Sequence, residues 1–223
     1  MIRAFFYREW IKSKIIILFI TAIYLGVICY IFIDINKMFE INSAMSVWNL
    51  LLNNESSLVL NFKYIPLVAG ILLGVSQFVP EIVDKRLKLS LHLPLKDTNI
   101  LITLLTFGIS ILVILSIFTI TSITLCLNHF LAKEFTIIAM QTLAPWILGG
   151  FVAYLLTSCI ILEPSWKRRL IITVISYFTL EIFFTAMSFG AFRTAILPAL
   201  ILLAFMLVLP FNSTIRFKDG DEK

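Results

Sequence analysis

Charge is scarce in this chain and histidine is nearly absent. Acidic and basic residues together make up 14% of the 223 residues, well under the ~25% of ordinary soluble domains. The two histidines, His92 and His129, fall in segments expected on opposite membrane faces, so they cannot jointly hold a metal or haem. No HExxH, GxSxG or GxxxxGK[ST] pattern occurs, which leaves no metal site, no catalytic residue and no phosphate loop to expect. The chain is therefore not expected to be an enzyme or to hydrolyse nucleotide itself. The three cysteines (Cys29, Cys126, Cys159) lie in or at the end of separate apolar runs. They read as small buried hydrophobes rather than as a disulfide or metal set.

What is abundant is apolar sequence: 60% of residues are hydrophobic and the mean hydropathy is +1.01. A helix needs roughly 20 apolar residues to cross about 30 Å of hydrocarbon, and such runs recur down the chain. The expected architecture is an all-α polytopic membrane protein with six spans, at about 15–33, 63–79, 99–125, 135–162, 170–187 and 194–209. An interfacial amphipathic helix (1–14) precedes them, a surface helix joins spans two and three, and a polar tail (216–223) follows the membrane domain (15–215). No cleavage site follows the first apolar run, so span one is expected to stay.

The organising stretch is 80–98, PEIVDKRLKLSLHLPLKDT. Four basic residues (Lys85, Arg86, Lys88, Lys96) alternate with apolar ones. A solvated linker does not need that apolar surface, and a membrane span cannot hold those charges. The pattern predicts an amphipathic helix at the membrane surface, opened by Pro80 and closed by Pro94. The N-terminal arm is similar, with Phe5, Phe6, Trp10 and Ile11 on one side and Arg3, Arg8, Lys12 and Lys14 towards headgroups.

Fourteen Lys and Arg residues fall on the side of the arm, the 80–98 loop, the 167–169 loop and the tail, against four (Lys37, Lys63, Lys133, Arg193) on the other. The positive-inside rule then places both termini in the cytoplasm. Span two carries Gly70 and Gly74 at the small-xxx-small spacing that lets helices approach closely, within one subunit or between two. Span four is expected to kink or break near Pro145. Hydroxyls such as Thr119 and Thr121 can bond back to their own helix and prove no polar pathway. Glu181 is the one charge expected inside a span. A carboxylate there is costly and should face the bundle, a water-filled cavity or a partner. It reads equally as a pathway-lining group and as a protonated structural residue.

Two stretches carry a family resemblance. Tyr7-Arg8-Glu9-Trp10-Ile11-Lys12-Ser13 before span one, and Glu81 through Leu93-Pro94 after span two, resemble the permease subunits of type-2 (ABC-2) ABC exporters. The resemblance implies a membrane half that pairs with a second copy or a paralogue. It also implies a separate ATPase subunit, carrying ATP and magnesium, docked on a coupling helix that includes Glu81, Asp84, Lys85, Arg86, Leu87, Leu91, Leu93 and Pro94. Arg8, Glu9, Trp10 and Lys12 would belong to the interfacial helix, and the setting would be a bacterial inner membrane. The resemblance brings no cofactor to this chain, and nucleic acid is not an expected partner. The turn expected at 188–191 is shorter than in many relatives. Two other classes stay open: a secondary transporter or channel using Glu181, and a non-transporting subunit that recruits a soluble protein through 80–98.

Overall fold

A computed structural model describes residues 2–41, 60–83, 97–130, 133–184, 196–211 and 213. Six helices follow in order among them: α1 (Ile2–Ile41), α2 (Ile65–Val83), α3 (Asp97–Phe130), α4 (Lys133–Leu162), α5 (Trp166–Phe184) and α6 (Ile196–Met206). No strand occurs among the described residues. The protein is an all-helical integral membrane protein in which α1 to α4 are long and apolar enough to cross a bilayer. α6 is a shorter apolar helix, and α5 carries Lys167, Arg168 and Arg169 in its first turn.

The helices alternate in direction. Glu81, near the end of α2, meets Arg8 near the start of α1, while Tyr24 of α1 packs edge-on against Phe62 before α2. α3 runs parallel to α1, with Phe6 against Phe107 and Phe39 against Phe130. The tightest seam lies between α2 and α4. A Cβ on Gly70 would overlap the Gly150 carbonyl oxygen, and one on Gly150 would come within 2.7 Å of the Pro66 carbonyl oxygen. Gly74 faces Thr157 across the same seam. Gly70 and Gly74 thus serve packing inside the subunit, where backbones touch with no side chain between them.

Three local expectations change. Arm and first span form one helix, because nothing between Ser13 and Ile33 interrupts the hydrogen-bond ladder. It continues past Asp34 to Ile41. Pro80 lies inside α2 rather than opening a new helix. It forfeits one ladder bond near the helix end, where the burial of Glu81 in the next position holds the last turn. Helix α4 does not break at Pro145, which is buried with Trp146 among the other helices. As expected, the span hydroxyls bond back to their own helices, Thr119 to the Leu115 carbonyl and Thr121 to that of Ile117.

Candidate functional site

The core face of α1 is a stripe at three- and four-residue spacing: Phe6, Glu9, Ser13, Ile17, Ile20, Tyr24, then Ile31 and Ile35. Two of its members are polar. The stripe carries Glu9 and Ser13 into the bundle, and both are almost fully buried. On the facing turn of α2, the Glu81 side chain is also wholly buried. Two buried carboxylates need cations, and the same turn of α1 supplies them. Lys12 Nζ lies 2.7 Å from Glu9 Oε2 and 3.0 Å from Glu81 Oε1. Arg8 Nη2 lies 3.2 Å from both Glu9 Oε1 and Glu81 Oε1. The four charges sum to zero, so the quartet is electrically closed.

This differs from the expectation that Arg8 and Lys12 point at headgroups. Lys12 keeps only 10% of its side chain exposed, and Arg8 37%. The outward residues of this segment include Tyr7, Trp10, Ile11 and, of its cations, Lys14, all exposed. The reason is energetic: desolvated carboxylates cost several kcal/mol unless paired, far more than the roughly 0–1 kcal/mol an exposed lysine gains from a surface partner.

One turn before Glu81 the polar column continues into the bundle. The Gln77 side chain is fully buried. It donates to the Leu104 carbonyl of α3 at 2.6 Å and accepts from the Tyr154 hydroxyl of α4 at 2.8 Å. Gly108 makes room for that phenol, since a Cβ there would overlap the Tyr154 ring. Quartet and amide together join α1, α2, α3 and α4 at the N-terminal end of the bundle. A second buried set lies beyond α4. Ser213 bonds to Glu163 at 3.1 Å and sits 3.2 Å from Cys159 Sγ, while Arg169 donates to the Glu163 carbonyl at 2.8 Å. That set ties the segment after α6 to the α4–α5 corner.

Glu181 does not face the bundle. It is exposed on α5, with Tyr177 one turn earlier as its hydrogen-bond partner. The same helix exposes Leu170, Val174, Phe178 and Ile182, and it packs chiefly on α4. Glu181 lies twelve residues beyond Arg169, about 18 Å along the helix, on an exposed face of α5.

Of the residues singled out in the sequence, Arg8, Glu9, Lys12 and Glu81 come together. Trp10 stays outside on the surface, Gly70 and Gly74 form the seam, and Glu181 stands apart. Asp84, Lys85, Arg86, Leu87, Leu91, Leu93 and Pro94 lie outside the described residues, as do the 188–191 turn and Arg193. Gln77, Tyr154 and Ser213 went unnoticed in the sequence, and Glu163 marked only the end of an apolar run there. Gln77 carried a signal, being the one amide on a helix otherwise read for its small residues and sitting one turn from Glu81. Tyr154 and Ser213 carried none. No described group of His, Cys, Asp and Glu could hold a metal ion. Comparison with protein-family models, curated proteins and solved structures finds no match.

Proposed function

We propose that the chain is the membrane-spanning permease subunit of an ATP-driven transporter, an exporter of the ABC-2 type, driven by a separate ATPase subunit. The observation that carries this reading is the buried quartet. It fastens the N-terminal helix to the last turn of α2, immediately before the basic amphipathic stretch 84–96. A soluble motor can work on a membrane bundle only through the surface it grips. With Glu81 locked to Arg8 and Lys12, a displacement of that stretch moves α1 and α2 together. In this reading Glu81 transmits motion from inside the subunit, and the docking contacts fall to Asp84, Lys85, Arg86, Leu87, Leu91, Leu93 and Pro94. The six-span arrangement with cytoplasmic termini, in a cell membrane of bacterial type, completes the proposal.

The uncovered face of α5 supports pairing of two permease copies. A carboxylate facing lipid at mid-depth costs several kcal/mol, and a partner subunit over Tyr177 and Glu181 removes it from lipid. The secondary-transporter alternative also draws on Glu181, but the carboxylate lies on the outer surface rather than in an internal cavity of the subunit.

The test is reconstitution with the cognate ATPase. Lys85→Glu combined with Arg86→Glu should abolish complex formation in mild detergent while leaving the permease folded. Undiminished binding of the ATPase by this double variant contradicts the docking role.

A further inference from the structure

Helices α1 and α3 run parallel, and a groove of about 710 Å³ lies along one side of their second halves. Cys29, Phe32 and Ile33 of α1 form one wall, Leu125 and Cys126 of α3 the other, and His129 stands at one end. The groove opens sideways, because Cys29 is exposed and Leu125 is 74% exposed. Its walls belong to two helices that are each long and apolar enough to cross a bilayer. Water has almost nothing to bond to along such walls.

The register at the His129 end is fixed by aromatic contacts. Phe130 sits 5.8 Å from Phe32 and 5.6 Å from Phe39, so the last turn of α3 is level with residues 32–39 of α1. Lys37 falls in that interval, one turn beyond Ile33 on the face that already carries Cys29 and Ile33. It is exposed, as is His129. Lys37 has no ion-pair partner among the described residues. Its acidic neighbours on α1 are Asp34, half-buried, and Glu40, exposed. From Cys29 to Lys37 is about 12 Å along the helix.

We propose that this groove is a phospholipid site, with an acyl chain lying against Cys29, Ile33, Leu125 and Cys126 and the lipid phosphate at Lys37 and His129. Apolar walls at hydrocarbon depth select a chain. Nitrogen donors one or two turns further along select an anionic head at the level where the helices leave the hydrocarbon. The volume is within the ~300–1,000 Å³ range of small-molecule sites. The site lies at the end of the bundle remote from the quartet. It depends only on the helices crossing a bilayer, not on the ATPase reading. An anionic lipid there bridges α1 and α3 alongside the Phe32, Phe39 and Phe130 contacts.

The full chain, reconstituted with phosphatidylglycerol bearing a photoreactive acyl chain, tests the site by mapping of crosslinked peptides. Peptides covering 28–33 and 122–129 should label several-fold more than the exposed apolar face of α3 at Val113, Ile114, Ile117 and Phe118. Cys29→Trp, or Leu125→Trp should the first variant misfold, should remove the excess by filling the groove. Lys37→Gln should erase a roughly fivefold preference for phosphatidylglycerol over phosphatidylcholine, which corresponds to ~1 kcal/mol for one surface lysine at 1.4 kcal/mol per decade. Labelling spread evenly over the groove and that α3 face would show only the ordinary lipid annulus and overturn the proposal. So would a groove signal unchanged by both tryptophan variants, or a headgroup preference that survives Lys37→Gln.

Discussion

Removing Glu81 isolates the energetics of the quartet. Glu81→Leu keeps the apolar bulk of the position but deletes the one carboxylate supplied by α2. Lys12 is then left with Glu9 alone, 2.7 Å away, and Arg8, already 37% exposed, can turn to water. Breaking a buried pair by removing one partner costs about 3–5 kcal/mol. The surviving Glu9 contact and the mobility of Arg8 place this case at the lower end, about 3 kcal/mol. At roughly 2–4 °C per kcal/mol for a chain of this size, the midpoint should fall by about 6–12 °C. Buried Cys159, in a background with Cys29 and Cys126 replaced by serine, reports unfolding through a thiol-reactive dye during heating in detergent. Lys12→Met in the same background should restore part of the loss, since it removes the stranded cation, giving a coupling of about 2 kcal/mol in the double-mutant cycle. Glu81→Lys should be worse than either single variant because it adds a third cation to the cluster. A midpoint within 2 °C of wild type for Glu81→Leu, or strictly additive effects in the cycle, would refute the claim that the quartet fastens α1 to α2.

Other positions give independent readings. Gly70→Leu or Gly150→Leu should cost at least ~3 kcal/mol, because the new Cβ meets backbone rather than a side chain that could move; a midpoint near wild type for both would contradict the seam. Tyr154→Phe should cost about 1–3 kcal/mol by leaving the buried Gln77 acceptor without its donor, and Gln77→Leu in that background should cost little more, as both report one network. Glu181→Leu should leave subunit stability within ~0.5 kcal/mol, as expected for an exposed side chain, while changing self-association measured by crosslinking in native membranes. Glu181→Gln keeps hydrogen bonding and loses ionisation, so an equal effect of both variants on association would point to the charge, and an effect of Leu alone to the hydrogen bond.

The all-helical membrane architecture was legible because it rests on run length and hydropathy, which need no tertiary information. Small residues at Gly70 and Gly74 marked a seam, but only Gly150 and Thr157 across it fix that seam inside the subunit. The quartet was half legible. Arg8, Glu9, Lys12 and Glu81 each drew notice, yet a helical wheel centred on the aromatic residues put the cations outward. The phase of the stripe from Phe6 through Glu9, Ser13 and Ile17 to Ile20 was the better guide, since it continues unbroken from the membrane span into the arm. The Gln77–Tyr154 bond joins positions 77 residues apart in sequence, and no local pattern encodes such a pairing. The continuity of α2 through Pro80 was hidden for a related reason. Proline near a helix end is ambiguous locally, and the burial of Glu81 against another helix decides it.

The central claim is that this chain is a passive membrane half moved by a separate motor. Its most direct test is the rate of ATP hydrolysis by the purified chain alone and by its complex with the cognate ATPase in the same lipid. The account predicts no hydrolysis by the chain alone, a substantial rate in the complex, and loss of that stimulation in the Lys85→Glu, Arg86→Glu variant. Intrinsic hydrolysis by the isolated chain, or an ATPase rate indifferent to its presence, would contradict it.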